Sequence, residues 1–245
     1  MKRCFVDLDD TLIGYKVRGR NIAIYAGYSI CIQDMCDLLI RHGFEEKEIK
    51  ETQDNIYKKM VSRRGFGHIN SFPFSFKATY RLIAKKHGIK PDHDITRQAE
   101  SLGWQVFEFA VSPLPGALET LEKIARKFEV TIVTKGFADY QIKKARDSGC
   151  LEISSSLVVM ESKSPKEWRE KIVTPFLSEP DIPKSWVVGD SIKSDINPSL
   201  NLGLNAIHVK SHDFWNFEDA LLCNPKDGQL LHVVDSIKNV PKYLK

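Results

Sequence analysis

CFVDLDDTLI, residues 4–13, sets three carboxylates, Asp7, Asp9 and Asp10, directly behind an apolar run. Cys4, Phe5, Val6 and Leu8 read as a buried strand. Aspartates gathered at the end of such a strand repel one another, so a cation is expected among them. Side chains alternate along a strand, which puts Asp7 and Asp9 on one face if the extended geometry persists.

Further along, the chain alternates between helical and strand-like segments. GALETLEKIARKF (116–128) has apolar residues at helical spacing, and EVTIVT (129–134) is a β-branched run of strand length. A polar helix is expected at 137–148, a strand at 155–160, a helix at 165–177, a strand at 185–190, a helix near 194–202 and a strand at 205–209. This βαβ rhythm predicts an α/β fold: a Rossmann-like, mainly parallel sheet with helices on both faces.

Residues 15–112 have a different pattern. Helical periodicity dominates in 29–43, 47–60, 76–88 and 96–109, with Gly43 and Gly88 where helix C-caps are expected, and no strand is read there. The expected organisation is an α/β core domain of residues 1–14 and 113–245, interrupted by an all-helical domain of residues 15–112.

The length of 245 residues allows a sizeable core, in one domain or two. The 36 basic and 32 acidic residues leave a net charge of only +4, with no long basic run, which argues against nucleic-acid binding. Five dispersed cysteines without a CxxC pair read as reduced thiols. The N-terminus reaches its aspartates too soon for a signal peptide, and no apolar stretch approaches the ~18 residues of a span. No membrane association is expected, and the expected location is cytoplasmic.

Functional groups of open α/β sheets gather at the carboxyl ends of strands. Those ends offer Asp7 and Asp9, then Thr134, Lys135 and Gly136, then Lys163 and Lys166 in ESKSPK, and finally Asp190 and Asp195 in GDSIKSD. Hard oxygen donors suit Mg²⁺, which would relieve the crowded aspartates. A hydroxyl, a backbone amide and a lysine would neutralise a phosphate, leaving one carboxylate to attack phosphorus.

DLDDT (7–11), Thr134 at its strand end, Lys163 in ESKSP and GDSIKSD (189–195) follow one another in the order of four known motifs. In this the α/β part resembles the haloacid dehalogenase-like (HAD) hydrolase superfamily, phosphatase branch, and the insert falls where that family carries a helical C1-type cap. The resemblance implies that Asp7 is the nucleophile and a Mg²⁺ ligand. It makes Asp9 the general acid and base, with its backbone carbonyl on the metal. It gives Thr134 and the Lys135 amide the phosphoryl oxygens, and Lys163 the phosphate charge and the orientation of Asp7. Asp190 completes the metal site, with Asp195 a more distant or water-mediated ligand. Lys163 is favoured for the lysine because it stands two residues before proline; Lys166 is the alternative. Asp10 is a turn residue whose amide falls where the family contacts phosphate.

The implied activity is a Mg²⁺-dependent phosphatase acting on a small phosphorylated metabolite, through an aspartyl-phosphate. Nucleotides, sugar phosphates and flavin mononucleotide are all consistent substrates. Asp9 speaks against the dehalogenase branch, which lacks that residue. A phosphomutase or phosphotransferase would use the same groups, and a non-catalytic binding protein could keep the fold.

Other patterns carry less. His208 and His212 have metal-like spacing but no third soft ligand nearby. GYKVRGR (14–20) lacks the lysine and context of a phosphate loop. Arg63, Arg64 and His68 stand among Phe66, Phe72, Phe74 and Phe76, which could grip a substrate but are explained more cheaply as helical packing, as are Trp104 and Phe107.

Overall fold

The computed structural model describes residues 2–65, 68–210 and 220–244. The chain divides into two compact units, Met1–Tyr25 with Val111–Lys245, and Ala26–Ala110.

The larger unit is built on a six-stranded sheet. Its strands are β1 (Arg3–Val6), β5 (Glu129–Lys135), β6 (Ser156–Met160), β7 (Trp186–Gly189), β8 (Asn205–Val209) and β9 (Leu231–Val234). They lie in the order β6-β5-β1-β7-β8-β9, and every neighbouring pair is parallel. Parallel strands covered on both faces need continuous apolar runs, and Cys4, Phe5 and Val6 are fully buried. Because β1 lies between β5 and β7, the strand order reverses at its carboxyl end. Open sheets bind ligands at such a switch point. Phe5 packs edge-on against Trp168, in a core shared with Val133, Met160 and Val187.

Three short strands fall where the sequence predicts none. β2 (Ile13–Val17) and β3 (Arg20–Ile22) form an antiparallel hairpin, and β4 (Ala110–Pro113) joins β2 on its other side. The register Val17↔Arg20 leaves a two-residue loop, Arg18-Gly19, with φ of 50° and 78°. Two successive positive φ values are what a type I′ hairpin turn requires. GYKVRGR is therefore a hairpin. It belongs to the larger unit, and the expected start of the helical insert at residue 15 moves to Ala26, its end to Ala110. β9 was also missing from the expected strands.

The smaller unit contains most of α1 (Ile24–Ile40), and α2 (Glu46–Arg64), α3 (Ser71–Lys86) and α4 (His93–Trp104). Phe72 and Phe76 are buried, as the packing reading requires, and Trp104 and Phe107 contact each other with ring centroids 5.8 Å apart. Arg63 and His68 are exposed. Phe66 and His212 lie outside the described residues. The five cysteines are free thiols, four of them buried. No helix among the described residues is long and apolar enough to cross a membrane.

Candidate active site

Four strand ends converge. Asp7 still pairs its amide with Val188 of β7 (2.9 Å), which fixes it at the end of β1. The chain then turns sharply, with the Leu12 and Ile13 amides both on the Leu8 carbonyl. One oxygen each of Asp7, Asp190 and Asp195 lies within 4.8 Å of the others. Thr11 ties two of them: its hydroxyl is 3.1 Å from Asp7 Oδ2 and 3.2 Å from Asp190 Oδ1, and it accepts the Asp190 amide (3.1 Å).

Lys163 is 3% exposed and donates to Asp7 Oδ1 and, at 2.7 Å, to Asp195 Oδ1. Lys166 is at the surface beside Glu170. One lysine faces three carboxylates, so the cluster has excess negative charge. Burial, opposed in part by Lys163, pushes the Asp7 carboxyl upward. Asp190 rises well above the usual carboxylate range through burial and the repulsion of Asp7 and Asp195. Burial works to lower Lys163, but Asp195 and Asp7 together raise it. All-carboxylate oxygen donors with surplus charge fit Mg²⁺, which would be held by Asp7, Asp190 and Asp195.

Asp9 stands apart from this trio. Both its oxygens lie 2.6 Å from Lys144 Nζ, and Gln141 donates to its Oδ2 (3.2 Å). Its side chain thus belongs to a different ion pair, and only its backbone carbonyl is left for the metal role expected of it. Asp10, at φ 61°, spends its amide on the Ile13 carbonyl (2.9 Å), not on a phosphate position. Its carboxylate instead accepts the amides of Ile24 and Tyr25 at the start of α1.

Thr134 is buried at the end of β5. The Lys135 side chain crosses to Ser194 Oγ (3.0 Å), whose carbonyl accepts the Trp168 indole N–H (2.8 Å). Those two bonds pin the loop that carries Asp195. His208 Nε2 is 2.9 Å from the Asp190 carbonyl, which can only accept, so this nitrogen bears the proton.

The loop carrying Lys163 has its own anchor. Lys163 adopts φ 52°, a conformation that costs a non-glycine residue. The Glu167 carboxylate accepts the amides of Glu161 (2.8 Å), Ser162 (2.9 Å) and Lys163 (3.1 Å), with the Ser162 hydroxyl (2.9 Å). Burial alone would raise the Glu167 carboxyl, but the Glu161 amide, Lys171 and the Ser162 donors bring it down to about 2. A depressed carboxyl stabilises the fold above its ordinary value of 4.5 and stops doing so as pH falls through about 2. Glu167→Gln should therefore lower kcat about tenfold and reduce stability at pH ~6, with the stability gap to wild type narrowing towards pH ~3. Urea unfolding at the two pH values checks this; a constant gap contradicts it.

Thr11, Gln141, Lys144 and Glu167 are the contributors that sequence reading missed. Thr11 was visible inside DLDDT; the other three carry no motif signal of their own.

No family model matches the chain. A segment of 104 residues is 30% identical to the pyrimidine 5′-nucleotidase YjjG of Escherichia coli strain K12, covering 41% of this chain and 46% of that protein. The chain thus spans about half the length of the curated relative it matches. A haloacid dehalogenase-like family hydrolase from Xanthomonas campestris superposes with a TM-score of 0.76 at 18% identity, over 99% of this chain and 89% of the other. The HAD-hydrolase YfnB from Bacillus subtilis, solved bound to magnesium, gives 0.60 at 16% identity, over 100% and 98%. L-2-haloacid dehalogenase from Xanthobacter autotrophicus shares the fold too, at 0.54 and 13% identity, over 99% and 98%. The chain thus shares the fold of haloacid dehalogenase-like hydrolases.

Proposed function

We propose that the protein is a Mg²⁺-dependent phosphatase of small phosphomonoesters, with Asp7 as nucleophile. The observation that carries this reading is the division of labour at the end of β1: Asp7 lies with two further carboxylates and Lys163, while Asp9 is held separately by Lys144. An Asp7 oxygen attacks phosphorus, forming a P–O bond to the carboxylate as the bond to the leaving oxygen breaks. Asp9 gives that oxygen a proton. Asp9 then takes a proton from water, which attacks the phosphorus of the aspartyl-phosphate and releases phosphate with Asp7 restored. Lys163 and Thr134 hold the phosphoryl oxygens, and the Lys135 amide completes that cradle. Mg²⁺, when bound, neutralises charge on the phosphoryl group and on Asp7. Asp9 favours phosphoryl transfer over carbon–halogen cleavage. The helical unit, Ala26–Ala110, falls in the sequence where the family carries its cap, and the relative's nucleotidase activity puts nucleoside 5′-monophosphates first among candidate substrates.

Phosphate release from a panel of nucleotides, sugar phosphates and flavin mononucleotide, with Mg²⁺ or EDTA, tests the reading. Mg²⁺-dependent release from at least one is expected; no release from any contradicts it. Metal binding has a second expected result. Mg²⁺ at ~100 times its dissociation constant should stabilise the protein by about 2.7 kcal/mol in urea unfolding. Asp190→Asn should lose most of that gain, and an undiminished gain would place the metal elsewhere.

A further inference from the structure

Helix α5 (Ala138–Asp147) follows β5 and directs Tyr140, Gln141 and Lys144 at one carboxylate and its surroundings. Lys144 is 3% exposed, whereas the Asp9 side chain it pairs with is 26% exposed. The lysine therefore lies beneath the carboxylate, leaving part of Asp9 open to solvent. Gln141, 5% exposed, uses its amide nitrogen twice: on Asp9 Oδ2 (3.2 Å) and on the Lys135 carbonyl (2.6 Å). That couples the first motif to the end of β5. Gly136, at φ 138°, leaves the room this needs, since a Cβ there would come 2.8 Å from Gln141 Nε2. The Tyr140 ring lies 5.0 Å from Lys144 Nζ, and its hydroxyl is 2.9 Å from that of Tyr15.

A buried ion pair is weak evidence for stability, because desolvation offsets the attraction. Its clear consequence here is geometric: a carboxylate held through both oxygens has lost its rotational freedom. We propose that Lys144 is the positioning residue for Asp9, fixing the angle at which its open edge meets the leaving oxygen, with Gln141 tying that angle to β5. The proposal rests on the reading of Asp9 as acid and base. General acids contribute about 10²–10⁴-fold, and small misplacements forfeit much of that.

Leaving groups separate positioning from mere support of the fold. p-Nitrophenyl phosphate expels a group that needs no proton, whereas an alkyl phosphate requires one, and kcat/KM reports the step in which that group leaves. With Mg²⁺ present, Lys144→Met should lower kcat/KM about 100-fold for the fastest alkyl phosphate of the panel and less than ~10-fold for p-nitrophenyl phosphate. Lys144→Arg, which still donates to both oxygens, should recover most of the loss. Lys144→Met added to Asp9→Asn should cost little more than Asp9→Asn alone. Thermal unfolding checks that each variant is folded, and Lys144→Gln takes the place of Lys144→Met if the latter is not.

Equal losses on both substrates, or an alkyl kcat/KM that is unchanged or raised, would overturn the proposal. If Asp9→Asn shows the leaving-group dependence and Lys144→Met does not, the proposal alone fails. If Asp9→Asn lacks it too, the reading of Asp9 fails and takes the proposal with it.

Discussion

Asp7→Asn should reduce phosphate release by roughly 10⁴-fold or more while leaving the protein folded. Loss of a covalent nucleophile removes the reaction path itself, and in well-studied hydrolases such losses reach ~10⁶-fold. The amide matches the carboxylate in size, so the packing around this buried side chain is kept. Lys163 retains its bond to Asp195, and Thr11 retains Asp190. Steady-state rates with Mg²⁺, beside urea unfolding, separate chemistry from folding. Activity within tenfold of wild type would remove Asp7 from its role.

Lys163→Met should have the second-largest effect, on stability and turnover together. It leaves Asp7 and Asp195, 6% and 1% exposed, with surplus negative charge and no ammonium between them. Breaking a buried pair by removing one partner costs about 3–5 kcal/mol, well above an ordinary surface substitution. Turnover should fall by roughly 10²–10³-fold, as when one preorganised charge-stabilising donor is lost. Because the defect is uncompensated charge, Mg²⁺ should stabilise the variant more than it stabilises wild type. Urea unfolding with Mg²⁺ and with EDTA measures both effects. Equal gains in the two proteins would mean that Lys163 and the metal do not share the same carboxylates.

The sheet was legible because its strands are near-continuous apolar runs, each ending in residues unsuited to a strand interior. Val187-Val188 leading into Gly189-Asp190 and Val130–Val133 leading into Thr134-Lys135 are the clearest cases. The hairpin at 13–22 was not legible, because Arg18-Gly19 replaces the usual Asn-Gly turn signal and Lys16 and Arg20 break the apolar pattern. The crowding of Asp7, Asp190 and Asp195 followed from placing each at a strand end. The partners of Asp9 and of the 161–163 turn did not. Lys144 lies on a helix with low apolar content, ADYQIKKARD, which reads as a solvated face until the fold brings one side of it against Asp9. Glu167 looks like any acid in a first helical turn, where it would favour the helix dipole. In the folded chain it collects three amides and a hydroxyl from the preceding turn.

The most direct test of the account is to look for the phosphoryl group on Asp7. The protein, mixed with Mg²⁺ and the best substrate of the panel, is quenched in acid within one turnover and its peptides are analysed by mass spectrometry. A base-labile phosphoryl adduct on the peptide containing Asp7, absent from Asp7→Asn, is the predicted result. Rapid phosphate release with no adduct on that peptide at any quench time would contradict it, and would assign the attack on phosphorus to water.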